Sequence, residues 1–333
     1  MPNEDEHLES VQDKLKARQE QNESGLSDFT KARNAIEYKA ALQQIRSLSD
    51  PEAVKKAIEL LKNKQEDVTV RSLVLQKALS SIGKNLEYIR DCLSILQDKT
   101  DRIEMRKGAF SVLKVFSFGS KLFVSLRPEY MAILRSLLDD PDTNLREMAA
   151  EELAKDKDEF VQRRLLDGLT KQEAPIISDA KAIQLLGYDI HAEYYPAVRR
   201  LLQSSESDDV TKLEAIHVLA NDPESKQLLV NMMLDKKQDK ELRMSSVAAV
   251  QSGHPRDFVQ IAKALVLDES ESTDMRTVCL NALTLVHPTE KAALHEDQQF
   301  LEKVSRLHTL TKSPELKRMS LRYLESAGRH RKQ

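Results

Sequence analysis

A chain of 333 residues with 40% hydrophobic and 32% charged side chains has apolar surface enough for a core, which excludes wholesale disorder. Only 8 Gly, 10 Pro and no Trp accompany its Leu, Ala, Lys and Glu, a balance that favours helix over sheet. The net charge of −3 lacks the basic excess of a general nucleic-acid binder.

In chain order, residues 1–30 carry 3 cations and 8 acids and only a thin apolar stripe of Leu8, Val11 and Leu15. This segment reads as an acidic, frayed or disordered N-terminal piece outside the core. Its acidic start, followed by no apolar stretch, does not resemble a secretory signal. No apolar run reaches the ~18 residues of a membrane span. Cys92 and Cys279 lie far apart in helical patterns and read as buried free thiols in a reducing compartment, so a cytoplasmic location is expected.

From residue 31 onward a helical hairpin repeats. Ile36, Leu42, Ile45 and Leu48 stop at Asp50-Pro51, where Asp caps and Pro starts a second helix with Val54, Ile58 and Leu61. The fullest copy of the repeat is Asp239-Lys-Glu-Leu-Arg-Met-Ser-Ser-Val-Ala-Ala-Val250. An acid is followed four positions later by a cation, then a small residue three further on, then an aliphatic seven past the cation. Further copies run Asp67…Arg71…Leu75…Ala78, Asp142…Arg146…Ala149…Leu153, Asp208…Lys212…Ala215…Leu219 and Ser272…Arg276…Cys279…Leu283. Markers at Ala41, Arg71, Arg106, Arg146, Asp179, Lys212, Arg243, Arg276 and Lys317 are spaced 30, 35, 40, 33, 33, 31, 33 and 41 residues apart. Two amphipathic helices per thirty-odd residues are the mark of an α-solenoid, in which each hairpin buries its stripe against the next.

The expected fold is all-α, with about eight to nine stacked hairpins over 31–327 and a basic tail at 328–333. The third repeat is lengthened by 115–127, which holds Phe116, Phe118 and Phe123. These either fill the core or form a binding loop. Residues 288–314 form an elongated or broken second helix.

The pattern Asp-x-x-[Val/Leu/Met]-Arg-x-x-[small]-x-x-x-Leu resembles the HEAT repeat, close to its short bacterial form, and the likeness covers roughly 35–327. It implies a HEAT-like superhelix and a ladder in which acids and cations of adjacent repeats bond. Asp67, Asp142, Asp208 and Asp239 would pair with Arg71, Arg146, Arg243 and Arg276, with breaks at Ala41 and Asp179. Such a motif specifies fold far more than function.

No phosphate-binding Gly-rich loop, G-x-S-x-G elbow or H-E-x-x-H appears, and no cofactor or metal is expected. His254 and His287 precede prolines and read as turn residues. His217 reads as packed or pointing into a neighbouring turn. HEAT-like repeats also occur in deoxyhypusine hydroxylase, in bacterial DNA glycosylases and in phycobilin lyases. The single pair His295-Glu296 cannot supply the first with a di-iron ligand set. The absence of Trp and the near-neutral body argue against the second, and nothing distinctive points to the third.

Cations precede aliphatic pairs in the second helices, most clearly in Arg163-Arg-Leu-Leu166 and Arg199-Arg-Leu-Leu202. Arg135, Arg163, Arg164, Arg199 and Arg200 are therefore candidates for a stripe that receives an acidic partner, together with Phe118 and Phe123. The competing account pairs them with neighbouring acids. The resulting expectation is a non-enzymatic scaffold that binds a protein or acidic peptide, with no membrane partner. A nucleic-acid-binding solenoid is the alternative, and a modifying enzyme or lyase on the same scaffold stands behind it.

Overall fold

The computed structural model describes residues 4–79, 86–119, 121–189 and 191–330. They contain nineteen α-helices, three short 3-10 segments and no strand. The helices are α1 Glu4–Lys31, α2 Ala35–Gln44, α3 Pro51–Lys62, α4 Val68–Leu79, α5 Leu86–Gln97, α6 Ile103–Gly119, α7 Arg127–Leu137, α8 Thr143–Lys155 and α9 Glu159–Leu169. They continue as α10 Asp179–Leu186, α11 Tyr195–Gln203, α12 Asp209–Leu219, α13 Lys226–Leu234, α14 Lys240–Gly253, α15 Pro255–Leu267, α16 Thr273–Thr284, α17 Pro288–Glu296, α18 Gln298–Leu310 and α19 Pro314–His330. This is an all-α solenoid: eight hairpins from α2 to α18, preceded by α1 and followed by α19. Two compact units divide it, Met1–Leu153 and Ala154–Gln333.

Caps set most helix starts. Asp50, Asp158, Asp208 and Asp297 each accept a backbone N–H three residues on, and Ser178 and Ser272 do the same. The marker grammar has a plain packing meaning. The residue three beyond every marker after Ala41 (Val74, Ala109, Ala149, Ala182, Ala215, Ser246, Cys279, Ser320) is buried, as are Leu113, Leu153, Leu186, Leu219, Val250 and Leu283 at seven beyond. Positions 0, +3 and +7 share one helix face. Small residues at +3 let successive first helices approach, α4 on α6, α12 on α14 and α14 on α16. Both cysteines lie on buried faces, and burial pushes each thiol up to about 12, so they stay protonated.

The marker cation lies on that same buried face and needs a partner there. Arg71 donates from Nε to the carbonyl of Leu61 at 3.0 Å and from both terminal nitrogens to Asp101 at 2.7 and 2.6 Å. Arg106 holds the Leu96 carbonyl and Asp140, and Arg243 holds the Met233 carbonyl and Glu271. A ladder therefore exists, but with different acids from those the resemblance implied. Asp67, Asp142, Asp208 and Asp239 accept backbone N–H groups at their own helix starts. Asp67 and Asp142 also take a lysine of the preceding repeat, Lys39 at 2.9 Å and Lys107 at 3.1 Å. Arg146 turns back onto the Asp140 and Pro141 carbonyls, since Arg106 already holds the Asp140 carboxylate.

Burial alone would raise Asp101 and Asp140, but the hydrogen bonds from Arg71 and Arg106 outweigh it and hold both below the usual carboxylate range. Glu271 is lowered by Arg243, and Asp98 is held at about 2 by Lys64 and Thr100. The unfolded chain binds more protons than the folded one once acid is added, so stability falls with falling pH. The urea midpoint is expected to be flat above about pH 5 and to drop between about pH 4 and pH 2. A midpoint constant down to pH 2 would contradict this account.

Two sequence readings change. Residues 1–30 were given no place in a core, yet Leu26 and Phe29 are buried, and Phe29 meets Tyr38 edge-on at 5.9 Å. Asn22 accepts the N–H of Arg46 at 2.6 Å, and Lys56 donates to the Thr30 and Ala32 carbonyls. The last turns of α1 thus dock on the first hairpin, while Leu15 is exposed. His217, expected to be packed or to point into a neighbouring turn, has a side chain 60% exposed, 3.9 Å from Glu214 on its own helix. The irregular 288–314 stretch is a broken helix, interrupted at Asp297, which caps α18. Of the proposed basic tail, residues 331–333 lie outside the described residues.

Candidate functional site

The lengthened third repeat separates its aromatic residues. Phe116 continues the buried face of α6 that carries Phe110 and Leu113. Phe123 sits in a 3-10 segment, Lys121–Leu126, and packs edge-on against Tyr130 at 5.2 Å. Around these two anchors four apolar side chains face water. Phe118 is 75% exposed, Val124 71%, Val115 55% and Leu122 40%. Four large apolar side chains within ten residues make a patch rather than scattered exposure. From Met105 to Pro128 the sequence holds five cations and no acid, but Arg106 is buried on Asp140, and Lys107 and Lys114 pair with Asp142 and Glu152, so the exposed cations beside the patch reduce to Lys121 and Arg127. Of the two aromatic candidates, Phe118 is presented and Phe123 is core.

The candidate cations occupy varied surroundings. Arg135 is exposed on α7, in the first unit. In the second unit Arg164 lies 3.0 Å from Glu173, and Arg199 reaches Asp222 at 3.0 Å and Glu224 at 2.7 Å. Arg163, with its side chain 81% exposed, is 3.9 Å from Asp167, and Arg200 is exposed at the end of α11. Local acids engage Arg164 and Arg199, so of the four candidate arginines in that unit the outward-facing ones are Arg163 and Arg200.

Arg163 borders a groove of about 690 Å³ beside α9, into which Phe160, Asp189, His191 and Tyr194 also face. Asp189 accepts from Gln162 and Lys157, each at 3.2 Å, and lies 3.2 Å from His191 Nε2. Those bonds, Gln162 first and then Lys157, hold its carboxyl below the ordinary range. Tyr194 donates to Gln162 at 3.1 Å, and burial raises its phenol to about 12. A carboxylate that orients an exposed imidazole is a general acid–base arrangement in outline, but no Ser, Cys or Thr lines the groove to act as a nucleophile. Among the described residues no three His, Cys, Asp or Glu side chains converge in a way that would hold a metal ion. His295 is buried at the end of α17, edge-on to Tyr323 at 6.1 Å. No single described helix is long and apolar enough to cross a membrane.

No protein-family model matches the sequence, and no curated protein is significantly similar to it. Among solved structures, the chain is similar to one in the complex of CpcE and CpcF of phycocyanin lyase from Nostoc sp. PCC7120, with 17% identity, a TM-score of 0.34, and coverage of 82% of this chain and 94% of that one. It is also similar to human deoxyhypusine hydroxylase, with 15% identity, a TM-score of 0.31, and coverage of 74% of this chain and 99% of that one. The all-α solenoid rests on the described helices themselves, which pack in consecutive neighbouring pairs. Both neighbours are enzymes, so the expectation of a non-enzymatic scaffold is withdrawn. At these identities the likeness concerns fold and assigns no activity.

Proposed function

We infer that this chain recognises a protein partner through the exposed segment 115–127. The observation that carries the reading is the run of Val115, Phe118, Leu122 and Val124, 40% to 75% exposed within ten residues, whereas the exposed apolar side chains of the other helices are spread singly along the chain. Large aromatic and aliphatic side chains at the centre of an interface, with charge at the rim, are where binding energy concentrates. The segment itself carries no acid, and the surface it complements is apolar. Phe116 and Phe123 fix the ends of the segment in the core, which reduces the ordering cost on binding. Protein recognition is common to catalysts that act on proteins and to adaptors, so it stands without the withdrawn scaffold assignment.

The double variant F118D/V124D tests it. Both side chains are exposed, so stability is expected to stay within about 0.5 kcal/mol of the parent. In affinity purification from the native host with quantitative mass spectrometry, the principal co-purifying protein should fall at least about tenfold. Equal recovery by parent and variant would overturn the reading. So would loss of binding to anionic vesicles with no change in co-purifying protein, which would assign the patch to a lipid surface.

A further inference from the structure

One arginine begins a ladder rung as the complete rungs do but lacks its acid. In the rungs of Arg71, Arg106 and Arg243, Nε donates to the carbonyl ten residues back, and the two terminal nitrogens grip a carboxylate 30, 34 or 28 residues on. Those acids, Asp101, Asp140 and Glu271, stand five or six residues before the next marker. Arg276 begins in the same way, with Nε donating to the Val266 carbonyl at 2.9 Å. Five residues before the next marker, Lys317, stands Lys312, a cation in the acid's place. The terminal nitrogens of Arg276 have no hydrogen-bond partner among the described residues.

They face a groove of about 640 Å³ between the end of α15 and α18. Lys303 and Arg306, one turn apart on α18, line it with Arg276, while Glu269 is its only carboxylate. Leu267 and Leu310 supply apolar wall, and Leu310 is 68% exposed. Three cations against one acid leave a positive groove whose planar fork matches a carboxylate in two-point geometry.

We propose that this groove is a carboxylate-binding site, taking an acidic side chain of a partner polypeptide with an apolar residue beside it. The ligand supplies from outside the acid that the last rung lacks. Carboxylates fill all three complete rungs, which favours this chemistry over other anions. The site is remote in sequence from segment 115–127 and does not rest on its role.

The test uses the full chain and fluorescence anisotropy. The probe is a fluorescein-labelled dodecapeptide repeating Gly-Leu-Glu, and the control has glutamine for glutamate. The acidic peptide is expected to bind about tenfold more tightly than the control. R306Q and K303Q alter side chains on the outer face of α18 and should each weaken it severalfold with unchanged thermal midpoints. R276K keeps the charge but loses the fork, and should weaken binding about tenfold. The decisive variant is K312E, which restores an acid at the ladder position. It should raise the thermal midpoint and abolish peptide binding together. F118D/V124D should bind the peptide as the parent does, so failure of one proposal leaves the other readable. Equal affinity for the two peptides overturns the site, as does undiminished binding by K312E or R306Q. Displacement of the peptide by inorganic phosphate at concentrations where acetate has no effect overturns the carboxylate assignment.

Discussion

Arg71→Ala is expected to lower the unfolding free energy by about 3–5 kcal/mol. The side chain is 1% exposed, its partner Asp101 2%, and the pair sits where no water replaces the lost bonds. Removing the guanidinium leaves the Asp101 carboxylate buried with only the N–H of Arg102 to accept from, and strips the Leu61 carbonyl of its donors. The size of the loss comes from that stranded charge rather than from the net worth of the pair. R71M/D101L, which removes both partners, should therefore be closer to the parent than R71A alone. Urea denaturation followed by circular dichroism reads both variants. A loss below about 1 kcal/mol for R71A would place the pair with surface salt bridges and remove the ladder as a stabilising element. Exposed inter-repeat pairs such as Lys236–Asp268 at 2.8 Å give the contrast, since their lysines are solvated in either state.

The comparison between sequence and structure turns on how far apart interacting residues lie. Hairpin number and register were legible because the cation, the small residue and the aliphatic sit within seven positions of one another, on a single helix face. Ladder partners were not. Asp101, Asp140 and Glu271 lie 30, 34 and 28 residues beyond their arginines, an offset that changes with each loop. The acid four positions before the cation was conspicuous, but its chemistry is local capping. In the 115–127 segment, Phe116 falls on the stripe that carries Phe110 and Leu113, so its burial follows from helical spacing. Phe118, two residues on, points away. Phe123 required knowledge of the 3-10 turn that brings it back onto Tyr130. Docking of α1 was hidden because its apolar contact comes from Leu26 and Phe29 at its far end, and the rest is polar, through Asn22 and the Thr30 carbonyl. Whether the array catalyses a reaction was not legible at all, since missing motifs remove named chemistries and assign none.

Gly253→Ala is expected to destabilise the second unit by about 1–3 kcal/mol, against the usual benefit of alanine in a helix. Gly253 closes α14 where it meets the end of α12. A Cβ there would lie 2.0 Å from the Ala220 carbonyl oxygen and 3.1 Å from its carbon. Those atoms are backbone, and Ala220 is tied by its N–H to Ile216 at 3.2 Å, so no side-chain rotation relieves the overlap. The helices must separate, loosening the contact that buries Val250 and Leu219. No described glycine has a positive φ, so the penalty is one of contact and not of dihedral preference. Gly108 isolates the cause. It also lies on a first helix, but its added Cβ would meet only Leu75 Cδ1, at 3.0 Å, the end of a side chain that can turn aside. Gly108→Ala is expected to be neutral or to stabilise by up to about 1 kcal/mol through lost unfolded-state freedom. Thermal melts of the two variants should shift in different directions. A Gly253→Ala protein as stable as the parent would show that α12 and α14 are not in such close backbone contact.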